Sequence, residues 1–185
     1  MNAQLCLSYQ TQTKGYMPEE FRRPMTHVIY GCDICQYVCP YNQGKDFHRH
    51  PEMEPDPELV QAALKPLLTI SNKEFKESFG QMAGSWRGKK PLQRNAIIAL
   101  ANMRDQTAIP LLLQLLEEDP RPLIRGTSAW ALAKIQRFQN PLMVECIRDQ
   151  VAKEDDPETI AEMTQAIERL EAKRPPRTCL LYTSP

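Results

Sequence analysis

The sequence predicts a mainly α-helical chain in which a short cysteine-rich lobe precedes a set of repeating helices. Three observations predict it. Cysteines gather near the N-terminal end in the pattern C-x2-C-x3-C-P. Apolar residues recur at three-four spacing from Pro91 onward. A capping residue followed by proline reappears at Asp119-Pro120, Asn140-Pro141 and Asp156-Pro157, ahead of the later apolar stretches. With 185 residues the chain can form one ordinary domain or two small ones.

The densest chemistry lies in Tyr30-Gly31-Cys32-Asp33-Ile34-Cys35-Gln36-Tyr37-Val38-Cys39-Pro40-Tyr41-Asn42. Two thiolates spaced by x2 can turn back onto one metal centre. A final Cys-Pro ends the runs of bacterial ferredoxins, where the last cysteine ligates the other cluster of a pair. Pro40 fixes φ and removes a donor, which stops the turn behind Cys39. The spacing favours iron–sulfur ligation. A four-cysteine zinc knuckle uses similar spacing, and a cysteine-rich turn without metal is the bland reading. Cys6 alone would be a small core residue; near this run it is the natural extra ligand. The metal candidates are therefore Cys6, Cys32, Cys35 and Cys39. Of six cysteines, the other two, Cys146 and Cys179, stand far apart, which favours metal over disulfides. Cys146 lies in an apolar stripe and reads as core.

The elements follow in order. Met1 to Leu5 is too short to stand alone, and Thr11 to Gly15 is polar and loop-like. Pro18-Glu19-Glu20 opens a short helix that Pro24 limits. His48 and His50, at i and i+2, do not share a helix face and read as surface or partner-contacting residues. Pro51 to Pro57 reads as an extended linker, followed by a helix over 58–64. Ser71-Asn72-Lys73-Glu74 fits a capping box and starts a helix ending near Gly80.

From Pro91 the character changes. Leu92, Ala96, Ile97, Ala99, Leu100 and Met103 mark an amphipathic helix, and residues 107–118 repeat the pattern. Helices then follow over roughly 120–136, 141–153 and 157–172. Arg94-Asn95-Ala96 and Arg125-Gly126-Thr127 occupy matching points of successive helix pairs, 31 residues apart. This is a short helical repeat of HEAT-like type, each pair burying its face against the next; a plain helical bundle is the alternative. The domain reading is a partial cluster lobe over 1–50, linker and connecting helices over 51–90, a HEAT-like domain over 91–172, and a non-native or disordered tail over 173–185. That tail has no helix period and excludes Cys179 as a ligand.

Charge narrows the function. Lys and Arg number 23, as do Asp and Glu, so any nucleic-acid surface must be a local patch. Residues 84–104 hold Arg87, Lys89, Lys90, Arg94 and Arg104 and no acid, whereas residues 51–58 carry only acids. Such a patch can neutralise phosphates, although a charge cluster is usually a solvated face. Trp86 can stack a splayed RNA base, but a lone Trp beside a helix start more often packs. Arg87, Lys89, Lys90, Arg94 and Arg125 are the candidate RNA contacts. Arg94, at the start of a repeat helix, has a second reading as a brace for its neighbour. No apolar run has membrane-spanning length and no signal-type leader is visible, so a cytoplasmic chain is expected.

Cys6-Leu7-Ser8-Tyr9, Tyr30-Gly31-Cys32-Asp33-Ile34-Cys35, Val38-Cys39-Pro40-Tyr41-Asn42, Trp86-Arg87-Gly88 and Arg94-Asn95-Ala96, ahead of HEAT-like helices, resemble the C-terminal part of the epoxyqueuosine reductase family. The resemblance covers about residues 1–172. It implies the C-terminal part of a ferredoxin-like iron–sulfur lobe, two [4Fe–4S] clusters in the whole enzyme, and cobalamin bound mainly by an N-terminal domain missing here. It implies reduction of epoxyqueuosine in the anticodon stem-loop of tRNA, electrons from an external donor, and a monomer without membrane attachment. By family pattern Cys6, Cys32 and Cys35 ligate one cluster and Cys39 the other. No catalytic residue is expected in this chain, which alone would be inactive. Tyr41 stands where the family usually has Trp. A stand-alone iron–sulfur electron carrier and a zinc-stapled helical scaffold are the alternatives.

Overall fold

The computed structural model describes residues 2–26, 28–45, 51–54, 56–136 and 140–172. His48, His50 and the tail with Cys179 lie outside them. No strand occurs among the described residues.

A 3-10 turn over Ala3–Leu5 leads into α1 (Leu7–Gln12), whose N-cap is Cys6. The polar stretch expected to be a loop is thus partly helical. Its Gln10 and Thr11 are buried, because their polar side chains find partners: the Gln10 amide donates to the Gln4 carbonyl and the Thr11 hydroxyl to that of Ser8. Short α2 (Glu19–Arg22) follows Pro18 as expected, and α3 (Ile34–Tyr37) lies inside the cysteine run. A 3-10 turn over Pro51–Met53 and α4 (Pro57–Val60) stand in place of a plain linker. The helix expected over 58–64 is split, with α5 (Leu64–Thr69) beginning where it should have ended. Leu67 and Leu68 on α5 are buried against the repeat domain, a tertiary gain invisible in so short a periodic segment. Ser71 starts α6 (Asn72–Phe79) with both halves of the capping box formed.

The repeat domain consists of α7 (Lys89–Met103), α8 (Ile109–Glu118), α9 (Pro122–Gln136), α10 (Pro141–Val151) and α11 (Pro157–Glu171). Asn140 and Asp156 cap their helices by accepting from the Met143 and Thr159 N–H groups. Asp119 does not act this way. Its carboxylate accepts from the Arg121 N–H and guanidinium, closing a turn, so α9 starts at Pro122. Helix α9 packs against α7, α8 and α11 and is buried almost all round. Helix α7, which reads as amphipathic, is likewise buried without a break from Pro91 to Ala101. A helix enclosed on all sides loses its polar face. The N-terminal segment completes their enclosure on the side that the neighbouring helices leave open. Met17 and Met25 enter the core, and Tyr16 Oη meets Thr159 Oγ1 at 2.7 Å and the Pro122 carbonyl at 3.2 Å.

Candidate cluster site and basic face

Cys6, Cys32 and Cys39 are half-buried and Cys35 is exposed, and all four are free thiols. Cys6 stands at the start of α1, Cys35 within α3, and Cys32 and Cys39 on either side of α3. Gly31 precedes Cys32 at φ +73°, a left-handed conformation open to glycine at little steric cost. Among the described residues no three His, Cys, Asp or Glu side chains converge on one point. The structure therefore supplies soft donors, the chemistry an iron–sulfur cluster requires, on separate pieces of backbone rather than as a closed cage. By donor chemistry the residues fit the group.

Those pieces are tied together from below. The Gly31 N–H donates to Thr11 Oγ1 at 3.2 Å, linking the Cys32 turn to the helix that Cys6 opens. The Asn95 amide on α7 then donates to the Thr11 carbonyl at 2.7 Å and to the Ile29 carbonyl at 2.8 Å. Arg94, 0% exposed, donates to the carbonyls of Thr13, Gly15 and Gln10 at 3.0, 2.7 and 2.9 Å. Burial, and secondarily Arg22, pushes its guanidinium down to about 10, so it stays charged at neutral pH. Arg94 thus cannot be an RNA contact. It braces the N-terminal segment, and not the neighbouring repeat that its position at a helix start suggested. Arg125 is also withdrawn: its guanidinium donates to both carboxylate oxygens of Glu154 at 2.7 Å and to the Asp119 carbonyl.

What remains of the basic patch is Arg87, Lys89 and Lys90. Lys90 is exposed. Lys89 Nζ donates to the Ile70 carbonyl that ends α5. Arg87 lies with its guanidinium 4.1 Å from the Trp86 ring centroid. Trp86 is 72% exposed, so it is not the packing residue that its place beside a helix start suggests. Tyr37, Val38 and Tyr41 around the cysteine run are also exposed. Cys146 is half-buried at the edge of the core, with burial and Glu117 raising its thiol pKa.

Residues 1–42 match the model of a 4Fe-4S double cluster binding domain, and residues 87–168 that of HEAT repeats. Epoxyqueuosine reductase of Bacillus subtilis is 56% identical over 172 residues, covering 93% of this chain and 44% of that protein. The chain belongs to the epoxyqueuosine reductase family. Epoxyqueuosine reductase of Streptococcus thermophilus superposes with a TM-score of 0.81 at 45% identity, over 91% of this chain and 44% of that one. An epoxyqueuosine reductase crystallised with an epoxyqueuosine-modified tRNA-Tyr stem loop superposes at 0.87 with 56% identity, over 93% of this chain and 45% of that one. The chain thus spans under half the length of these family members. No helix among the described residues is long and apolar enough to cross a membrane.

Proposed function

We propose that this chain is the cluster-bearing, RNA-docking part of a tRNA-modifying oxidoreductase that reduces epoxyqueuosine to queuosine. The observation that carries the proposal is a cysteine lobe bound to a helical-repeat domain with a basic edge, in a chain 56% identical to the B. subtilis reductase. Cys6, Cys32 and Cys35 serve one [4Fe–4S] cluster and Cys39 serves the second. Such clusters carry single electrons, here from an external donor. The remaining ligands, the cobalamin and the catalytic residues belong to the length of the family that this chain does not span. The chain's own residues hold and orient: Asn95, Arg94 and Thr11 fix the backbone that presents the cysteines. The relative solved with a tRNA stem loop supports an anticodon stem-loop as the partner, docked on Arg87, Lys89 and Lys90. The enzyme works as a cytoplasmic monomer.

Titration of the anticodon stem-loop at several salt concentrations tests the RNA half of the reading. Affinity falls steeply as salt rises. Lys90→Ala weakens binding to all stem-loops alike and lowers the salt slope by about one. If the Lys89→Ala, Lys90→Ala double variant binds as tightly as the parent at low salt, the basic edge is only a solvated face and the docking assignment fails.

A further inference from the structure

Two hollows meet at Arg87. The larger, about 630 Å³, places Glu118 and Asp119 opposite its cations. The smaller, about 270 Å³, is bordered by Lys14, Arg87 and Lys90 and by no carboxylate among the described residues. It continues past Lys14 toward Tyr9 and Gln12, again without an acid. Beside Arg87 in the chain, Trp86 presents an exposed indole, and the Arg87 guanidinium lies against that ring. Arg87 has no carboxylate partner among the described residues, and its Nε is buried without an acceptor. Trp86 and Arg87 sit on a 3-10 turn over Ser85–Arg87, held by Gly84 and Gly88 at its ends. A Cβ at Gly84 would lie 2.2 Å from the Tyr30 ring, so the turn is seated against the residue that leads into the cysteine run.

We propose that Trp86, backed by Arg87, is a stacking platform for one unpaired nucleobase of RNA, with the adjoining phosphates over the acid-free cleft of Lys14 and Lys90. The assignment rests on the RNA-docking reading above and specifies its base-contacting site. An aromatic face accepts any base, and a stacked guanidinium adds cation–π attraction while its charge still faces the strand. The acid-free cleft suits an anion better than the larger hollow, because no carboxylate there offsets Lys14, Arg87 and Lys90, whereas Asp119 holds Arg121 and Glu118 offsets further charge in the other.

The chain has two tryptophans, and Trp130 is 1% exposed, so quenching of exposed indole emission reports Trp86. A stem-loop with unpaired loop bases quenches that emission on binding, whereas a blunt, fully paired duplex with the same number of phosphates binds without quenching it. Trp86→Ala weakens stem-loop binding roughly tenfold or more and leaves duplex binding unchanged. Trp86→Phe retains most of the affinity and loses the signal. Unchanged circular dichroism confirms that these surface variants are folded. If the stem-loop binds Trp86→Ala as tightly as the parent, the platform is overturned while the RNA-docking reading stands. If neither RNA binds the parent at low salt, both fall together.

Discussion

Asn95 has one amide and two tasks. Its N–H groups hold the Thr11 and Ile29 carbonyls, one in the segment behind Cys6 and one in the segment ahead of Cys32. Asn95 and Thr11 are both buried, so the Thr11 carbonyl has no water to fall back on, while the Ile29 carbonyl is part-buried. Removing the amide leaves at least one buried acceptor unpaired, at a cost of about 1–3 kcal/mol. Asn95→Ala should keep its helix, because alanine is a better helix former, yet lose its grip on both cysteine segments. The expected outcome is normal far-UV circular dichroism with reduced iron and sulfide per chain after anaerobic reconstitution and gel filtration. Retention of iron equal to the parent would show that the bracket does not serve the cluster.

At the scale of elements, α9 depends on a position without a side chain. Glycine inside a helix ordinarily costs about 0.5–1 kcal/mol relative to alanine. At Gly126 the sign reverses, because a Cβ would lie 2.1 Å from Tyr16 Oη. That hydroxyl is fixed by Thr159 and the Pro122 carbonyl, and burial raises its pKa far above the usual phenol value. Gly126→Ala should therefore lose about 1–3 kcal/mol, read as a lower thermal midpoint; an unchanged or higher one would mean that Tyr16 swings aside at no cost. The Arg125–Glu154 pair beside it sets a pH dependence. The hydrogen bonds from Arg125, more than any other influence, lower the Glu154 pKa from the ordinary 4.5. A carboxylate with a lowered folded pKa adds stability above its unfolded value, and the gain disappears as pH falls through the folded one. Glu154→Gln should be less stable than the parent at pH 7, with the gap narrowing as pH falls below about 4.5; a gap of constant size throughout the acid range would rule the pair out as its source.

These elements also show what the sequence made legible. The capping box at Ser71 and the Asx-Pro starts at Asn140 and Asp156 were readable because each side chain bonds within its own first turn. Asp119 looked the same and was captured by Arg121 instead. Helix α5 was missed because six residues carry too little periodicity; burial against α7 and the Gln93 amide on the Leu67 and Leu68 carbonyls hold it. Arg94 and Trp86 exchanged expected roles for a related reason. Exposure depends on where the N-terminal segment lies, and neighbouring residue types do not determine that.

Across the whole molecule, that segment is the main binding element. Arg22, 4% exposed, meets Glu162 on α11 through two parallel hydrogen bonds of 2.8 and 2.5 Å. Its backbone carbonyl and that of Met25 accept from Asn102 on α7. Glu19 accepts from the Trp130 indole on α9, and the Arg22 guanidinium lies 5.2 Å from that ring centroid. The segment that follows the first ligand is thus joined to three helices of the repeat domain by part-buried polar contacts. Contacts of this kind leave no independent seam between cysteine lobe and repeats, so the chain should unfold as one cooperative unit. Trp130 emission reports the junction, and far-UV circular dichroism reports the helices. The two thermal transitions should coincide. Arg22→Ala strands a mostly buried Glu162 carboxylate, and breaking a buried pair costs about 3–5 kcal/mol. For a chain of this length that corresponds to a drop of roughly 10 °C in the midpoint, and both probes should shift together. If the fluorescence transition moves while the circular dichroism transition stays, the N-terminal segment is a separable arm. The repeat domain would then hold without it, and the cysteines would not be anchored through α7, α9 and α11.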